Sequence, residues 1–152
     1  MMKNILLAVD NEPGTSDLVD FAGDMAAKFG ARLYILHIAS PDPEFVGYDV
    51  GPEYIRVSAA REYRDEHRWL QGIAKTLESK QVEARALLIQ GYVAEEILKE
   101  ADDVEADLVI TGSHERGFFT NLFMGNTAVE LSKKTKRPLL LYPMPDSEAS
   151  DD

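Results

Sequence analysis

Residues 5–38 read ILLAVDNEPGTSDLVDFAGDMAAKFGARLYILHI, and the order of apolar and turn residues within them decides the fold. Ile5 to Val9 is a continuous apolar run too short for a helix, as expected of a strand covered on both faces. Asp10-Asn11-Glu12-Pro13-Gly14 breaks it with turn chemistry, and Thr15 or Ser16 is placed to cap a helix. Leu18, Val19, Ala22, Met25, Ala26 and Phe29 recur on one helical face, and Gly30 stands where a helix-ending glycine belongs. Leu33 to Ile38 is a second buried strand.

The alternation continues outward. Residues 39–53 carry Pro41, Pro43, Gly47, Gly51 and Pro52, a long irregular connection of the kind that usually has a function. Ala60, Tyr63, His67, Leu70, Ala74 and Leu77 then give the apolar face of a long helix. Residues 84–89 form a strand, Gly91 a turn, and Val93, Ile97, Leu98 and Ala101 a helix face. Residues 108–111 are a fourth strand, 127–134 a helix and 139–142 a last strand. Five strands alternating with four helices predict an α/β fold, a doubly wound parallel sheet with helices on both faces and right-handed crossovers. One domain covers 1–145, followed by an acidic tail at 146–152 that is expected to fray. There is no linker and no internal repeat.

Composition narrows the function. The chain has 152 residues, 45% of them hydrophobic, which supports one ordinary core. Zero cysteines exclude disulfides, a thiol nucleophile and thiolate metal sites. Sixteen Lys and Arg against 27 Asp and Glu give a net charge of −11, a field that repels nucleic-acid backbones and anionic membranes. No apolar run approaches the ~18 residues of a membrane span. A soluble cytoplasmic protein is the expectation.

In open α/β sheets, ligands bind beyond the carboxyl ends of the strands where the winding reverses. Two stretches fall there: Asp10–Gly14, and Gly112–Gly125 leading into the helix at Thr127. Glycines before a helix N-terminus let a ligand approach the backbone, and first-turn N–H groups attract anions, typically phosphate. Equally, Gly125 can serve only a turn, and Thr127-Ala128-Val129-Glu130 fits a capping box that satisfies the same N–H groups internally. The sequence lacks a Walker-type loop, G-x-G-x-x-G after the first strand, a G-x-S-x-G elbow and H-E-x-x-H. His37 and His67 read as packing residues, and Trp69 as core or groove lining. His114 lies in the predicted site loop, but no nucleophile, base and orienting group assemble around Ser113 and His114. A dedicated hydrolase is therefore not expected. Phe118, Phe119 and Phe123 read as packing beneath the loop, with a hydrophobic lid or an interface patch as the alternatives; Phe45 and Tyr48 are weaker candidates to flank a nucleoside.

Several segments together resemble the universal stress protein family. They are Val9-Asp10 after the first strand, Leu36-His37-Ile38, Ala94-Glu95-Glu96-Ile97-Leu98, Ala106-Asp107-Leu108-Val109-Ile110, Gly112-Ser113-His114, Gly125 and Arg137-Pro138-Leu139-Leu140-Leu141. The resemblance implies strand order 3-2-1-4-5, an adenine nucleotide hydrolase-like fold, and a G-x2-G-x9-G-(S/T) motif that cradles the phosphates of ATP, with or without Mg. Carried over, Gly112 and Gly125 are the first and third glycines, Asp10 the first-strand aspartate, and Ile38 the residue whose backbone meets adenine. Ser113, His114, Gly117, Asn126 and Thr127 complete the candidate binding set. Two positions depart from the motif: Glu115 replaces its second glycine and Asn126 its Ser/Thr. A glutamate about 4 Å from phosphate costs about 4 kcal/mol at an effective dielectric of roughly 20, and about 1 kcal/mol if fully hydrated. Gly117 taking over the flexible position, or Arg116 compensating the charge, would offset it.

The resemblance implies an adenine-nucleotide-binding stress regulator that signals to a protein partner; the sequence shows no evident general base, so at most slow ATP hydrolysis is expected, and no resident metal. Glu115 and the capping box support the alternative, a nucleotide-free interaction module. An adenylating or pyrophosphatase enzyme would need a phosphate-loop signature that is missing. Pro138 to Tyr142 forms an apolar last strand expected at the sheet edge, where it invites a second copy. The family resemblance likewise implies a homodimer through that strand.

Overall fold

Strands that alternate their side chains between two apolar layers position the functional end of this molecule. The computed structural model describes residues 1–39, 53–114 and 127–145, the backbone alone for 53–60. The elements are β1 (Asn4–Ala8), α1 (Thr15–Phe29), β2 (Arg32–Ala39), α2 (Glu53–Ser79), β3 (Ala84–Gln90), α3 (Val93–Asp103), β4 (Leu108–Ser113), α4 (Thr127–Lys134) and β5 (Leu139–Pro143). All neighbouring strands are parallel, in the order β3-β2-β1-β4-β5. The doubly wound sheet expected from the sequence is therefore present, with its reversal between β1 and β4.

Because strand side chains alternate faces, β1 feeds two cores. Ile5, Leu7 and Val9 join Leu33, Ile35, Leu108 and Ile110 beneath α1 and α2. Leu6 and Ala8 join Leu36, Ile38 and Val109 beneath α3 and α4. Ile5, Leu6 and Leu7 are completely buried, which is why the run shows no polar alternation.

The boundaries differ from the sequence expectation in instructive ways. Gly112 and Ser113 belong to β4, where they pair with Tyr142 and Pro143. The cap of α1 is Gly14, at φ 91, with no side-chain cap. Thr15 is instead the first helical residue, and its hydroxyl turns back into the preceding loop. Gly30 does end α1, at φ 65, in the left-handed conformation that glycine adopts without a Cβ penalty. Phe29, the last residue of α1, is exposed, although Ala26 one turn earlier is buried. On α2 the buried stripe is Leu70, Ala74 and Leu77, flanked by Trp69 and Ile73. His67 is exposed, so its expected packing role is corrected.

Candidate functional site

The register places the two candidate loops side by side. Ala8 of β1 lies opposite Thr111 of β4, so Asp10–Glu12 and Gly112–His114 leave the sheet as neighbours. Around the gap they form a cleft lined by Asp10, Ile38, Gly112, His114 and Thr127, with Glu12, Val93 and Ile97 among its other walls. Five of the nine residues singled out from the sequence thus converge on one cleft. Ser113 does not line it; its carbonyl accepts the Met144 N–H at 2.8 Å, which prolongs the β4–β5 ladder. Gly117, Gly125 and Asn126 lie outside the described residues, as do Glu115, Arg116 and the three loop phenylalanines. Phe45 and Tyr48 lie outside them too.

The loop after β1 is held by its own backbone and one hydroxyl. Thr15 Oγ1 donates to the Asp10 carbonyl at 2.5 Å and accepts from the Glu12 N–H at 3.3 Å. The Thr15 N–H returns to the Glu12 carbonyl at 3.2 Å. These bonds fix where the Asp10 and Glu12 carboxylates emerge, and they explain why a residue that looks like a helix cap is buried.

Glu12 is the residue the sequence reading missed. Its Oε1 lies 3.1 Å from His114 Nε2, across the gap between β1 and β4, and both side chains are only 14% exposed. A carboxylate can only accept, so Nε2 carries the proton of this bond, and in the neutral ring Nδ1 is left as an acceptor. Among the described residues, Glu12 Oε2 and His114 Nδ1 are buried without a hydrogen-bond partner. Burial holds the Glu12 carboxyl above its ordinary range; the facing His114 and its hydrogen bond oppose this, and the Asp10 charge adds to it.

His37 does more than fill the core. Its Nδ1 donates to the Val9 carbonyl at 2.8 Å and lies 3.4 Å from Asp10 Oδ1, while Nε2 faces Glu66 at 3.8 Å. Trp69 meets the ring edge-on, with centroids 5.7 Å apart. Burial works against protonating this ring. The Asp10 hydrogen bond, the Val9 carbonyl and the charges of Asp10 and Glu66 together outweigh it, and the pKa lies above the ordinary histidine value. His37 therefore ties the end of β1, and Asp10 with it, to α2.

Gly112 has a structural use independent of any ligand. A Cβ at this position would sit 2.6 Å from Met144 Cγ and 2.9 Å from its Sδ, so the missing side chain makes room for Met144. Charge on the cleft is negative: its described lining carries Asp10 and Glu12, and no Lys or Arg. Among the described residues, no group of three His, Asp or Glu side chains is arranged to hold a metal ion. No described helix is long and apolar enough to cross a membrane.

Comparison with known proteins matches this architecture throughout. The universal stress protein family model matches residues 1–143. A universal stress protein from Thermus aquaticus, named for its place in a QAH/OAS sulfhydrylase 3' region, is 32% identical over 143 residues, 93% of this chain and 98% of its own length. A solved structure of a Methanocaldococcus jannaschii protein, itself called a universal stress protein, superposes with a TM-score of 0.75 at 21% identity, covering 97% of this chain and 99% of that one. Two further similar structures were solved with ligands. One is a universal stress protein in complex with cAMP (TM-score 0.64, 17% identity, 93% and 97% coverage). The other is the Archaeoglobus fulgidus universal stress protein in complex with dAMP (TM-score 0.60, 18% identity, 93% and 98% coverage).

Proposed function

Because the chain belongs to the universal stress protein family, we propose that it binds an adenine nucleotide in the cleft between the ends of β1 and β4. Occupancy of that cleft then controls its interaction with a protein partner. The observation that carries this is the convergence of Asp10, Ile38, Gly112, His114 and Thr127 on one cavity at the winding reversal. On this reading the Ile38 backbone meets adenine, Asp10 the ribose, and the backbone around Gly112, Gly125 and Asn126 the phosphates. ATP, with or without Mg, is the ligand the sequence motif favours, and the cAMP and dAMP complexes of similar structures support the wider adenine nucleotide class. The protein then acts in the cytoplasm, on the nucleotide pool held there.

The described part of the cleft offers polar anchors but no nucleophile activated by a base, so binding rather than turnover is its output. Thermal shift and calorimetry with ATP, ADP, AMP and cAMP test the proposal. A saturable rise in melting temperature with at least one of them is expected, and a flat response to all four overturns it.

We further propose a homodimer through β5. This strand closes the sheet on one side, is paired only with β4 among the described strands, and exposes 41% of Leu141. Free strand edges with apolar side chains pair with other chains.

A further inference from the structure

The polar wall of the cleft is built to receive hydrogen-bond donors. Glu12 and His114 face each other at 3.1 Å, and each keeps a second polar atom buried without a partner among the described residues. Burying such an atom unmet is costly, and the cost is recovered when a ligand supplies the missing bond. Both orphan atoms are acceptors when the imidazole is neutral, whereas phosphate oxygens are acceptors themselves at neutral pH. The Asp10 carboxylate lines the same cleft, and the described lining offers no Lys or Arg to offset additional negative charge.

We propose that the Glu12–His114 pair sets the ligand class of this cleft, favouring a nucleoside that carries at most one phosphate over a nucleoside triphosphate. The proposal rests on adenine nucleotide binding in the cleft and specifies which member is held. The hydroxyls of the ribose, which lies on the Asp10 side of the cleft, donate to Glu12 Oε2 and His114 Nδ1. A triphosphate must bring several acceptor oxygens and more charge past Glu12 and Asp10. One such like-charge contact, partly screened, weakens binding by about tenfold.

Calorimetry of the full chain with adenosine, AMP and ATP, the last with and without Mg²⁺, tests this. In the unmodified protein adenosine and AMP are expected to bind at least about tenfold more tightly than either form of ATP. Glu12→Gln keeps the size and a hydrogen bond to His114 while removing the charge, and should raise ATP affinity about tenfold without raising that for adenosine. The ranking in the unmodified protein is read without any variant, so a folding defect in Glu12→Gln does not blunt the test. ATP binding as tightly as AMP, or a Glu12→Gln ratio equal to the parent's, overturns the role of the pair and leaves nucleotide binding standing. Failure of all three ligands to bind overturns both.

Discussion

Replacing Gly112 by alanine separates the structural from the ligand-facing use of this position. Gly112 is not among the described glycines with positive φ, which are Gly14, Gly30 and Gly91, so alanine is allowed by the backbone. The obstacle is Met144: the new Cβ would stand 2.6 Å from its Cγ and 2.9 Å from its Sδ, closer than carbon atoms approach. Met144 is 7% exposed and belongs to the core beneath α1 and α2, so it yields only by disturbing that core. Overpacking of this kind costs about 1–3 kcal/mol. For a domain of this size the melting temperature should fall by roughly 2–12 °C, at about 2–4 °C per kcal/mol. Met144→Ala alone should cost about 2–5 kcal/mol as a buried truncation. In the double variant the alanine methyl occupies space that Met144 has vacated, so the combined loss should fall short of the sum by about 1–3 kcal/mol. Urea unfolding followed by circular dichroism measures all four corners of the cycle. Additivity within about 0.5 kcal/mol would refute the steric account. A consequence for binding studies follows directly: loss of nucleotide binding in Gly112→Ala is attributable to ligand contact only if it persists when Met144 is also truncated.

Three other outcomes are expected. Raising the pKa of His37 in the folded state makes its contribution to stability fully present below about pH 6.5, the unfolded value, and progressively lost as pH rises through the folded value. His37→Asn, which keeps a donor for the Val9 carbonyl, should flatten that slope in urea midpoints taken across this range, and parallel curves would contradict it. Thr15→Val removes both side-chain hydrogen bonds of the β1–α1 loop and should destabilise by about 1–3 kcal/mol; unchanged His114 ring resonances in that variant would show that the loop does not position Glu12. The unmodified chain should sediment as a dimer at micromolar concentration and Leu141→Lys as a monomer with little change in melting temperature; a variant that remains dimeric places the interface elsewhere.

Most of the architecture was legible because it depends on apolar runs whose length and spacing are local properties. Ile5–Val9, and Leu33–Ile38 but for His37, are apolar without alternation, as expected of strands buried on both faces. Their observed burial at β1 and β2 follows from the same composition. What local pattern does not carry is rotation along a helix. Tyr63 and His67 continue the spacing of Leu70, Ala74 and Leu77, yet Tyr63 is 37% exposed and His67 points to solvent. Tyr63 sends its hydroxyl to the Leu88 carbonyl of β3 at 3.2 Å and still stays partly in solvent, so periodic spacing alone does not say which residue of a helix is buried. Thr15 shows the competing effect at a helix start. A glycine able to adopt φ 91 took the cap, and the threonine hydroxyl satisfied the loop instead.

The polar pair of the cleft was illegible for a different reason, since neither member has a local signature. Glu12 sits in a turn where acidic residues are common, and His114 in a glycine-bearing stretch where attention falls on the backbone. Their meeting is a product of topology. Once β1 and β4 are neighbours in parallel, with Ala8 opposite Thr111, a residue four beyond the first and one three beyond the second must leave the sheet together. The strand order implied by the family resemblance therefore contained the juxtaposition, which the motif positions Gly112, Glu115 and Gly125 do not carry. Independently of Glu115, the described lining carries a like charge of its own at Glu12, a carboxylate with a defined partner and a defined unmet oxygen. Charge selection in this cleft can thus be tested at Glu12 without assuming where Glu115 lies, and the two carboxylates can be separated by neutralising each in turn and asking which restores triphosphate binding.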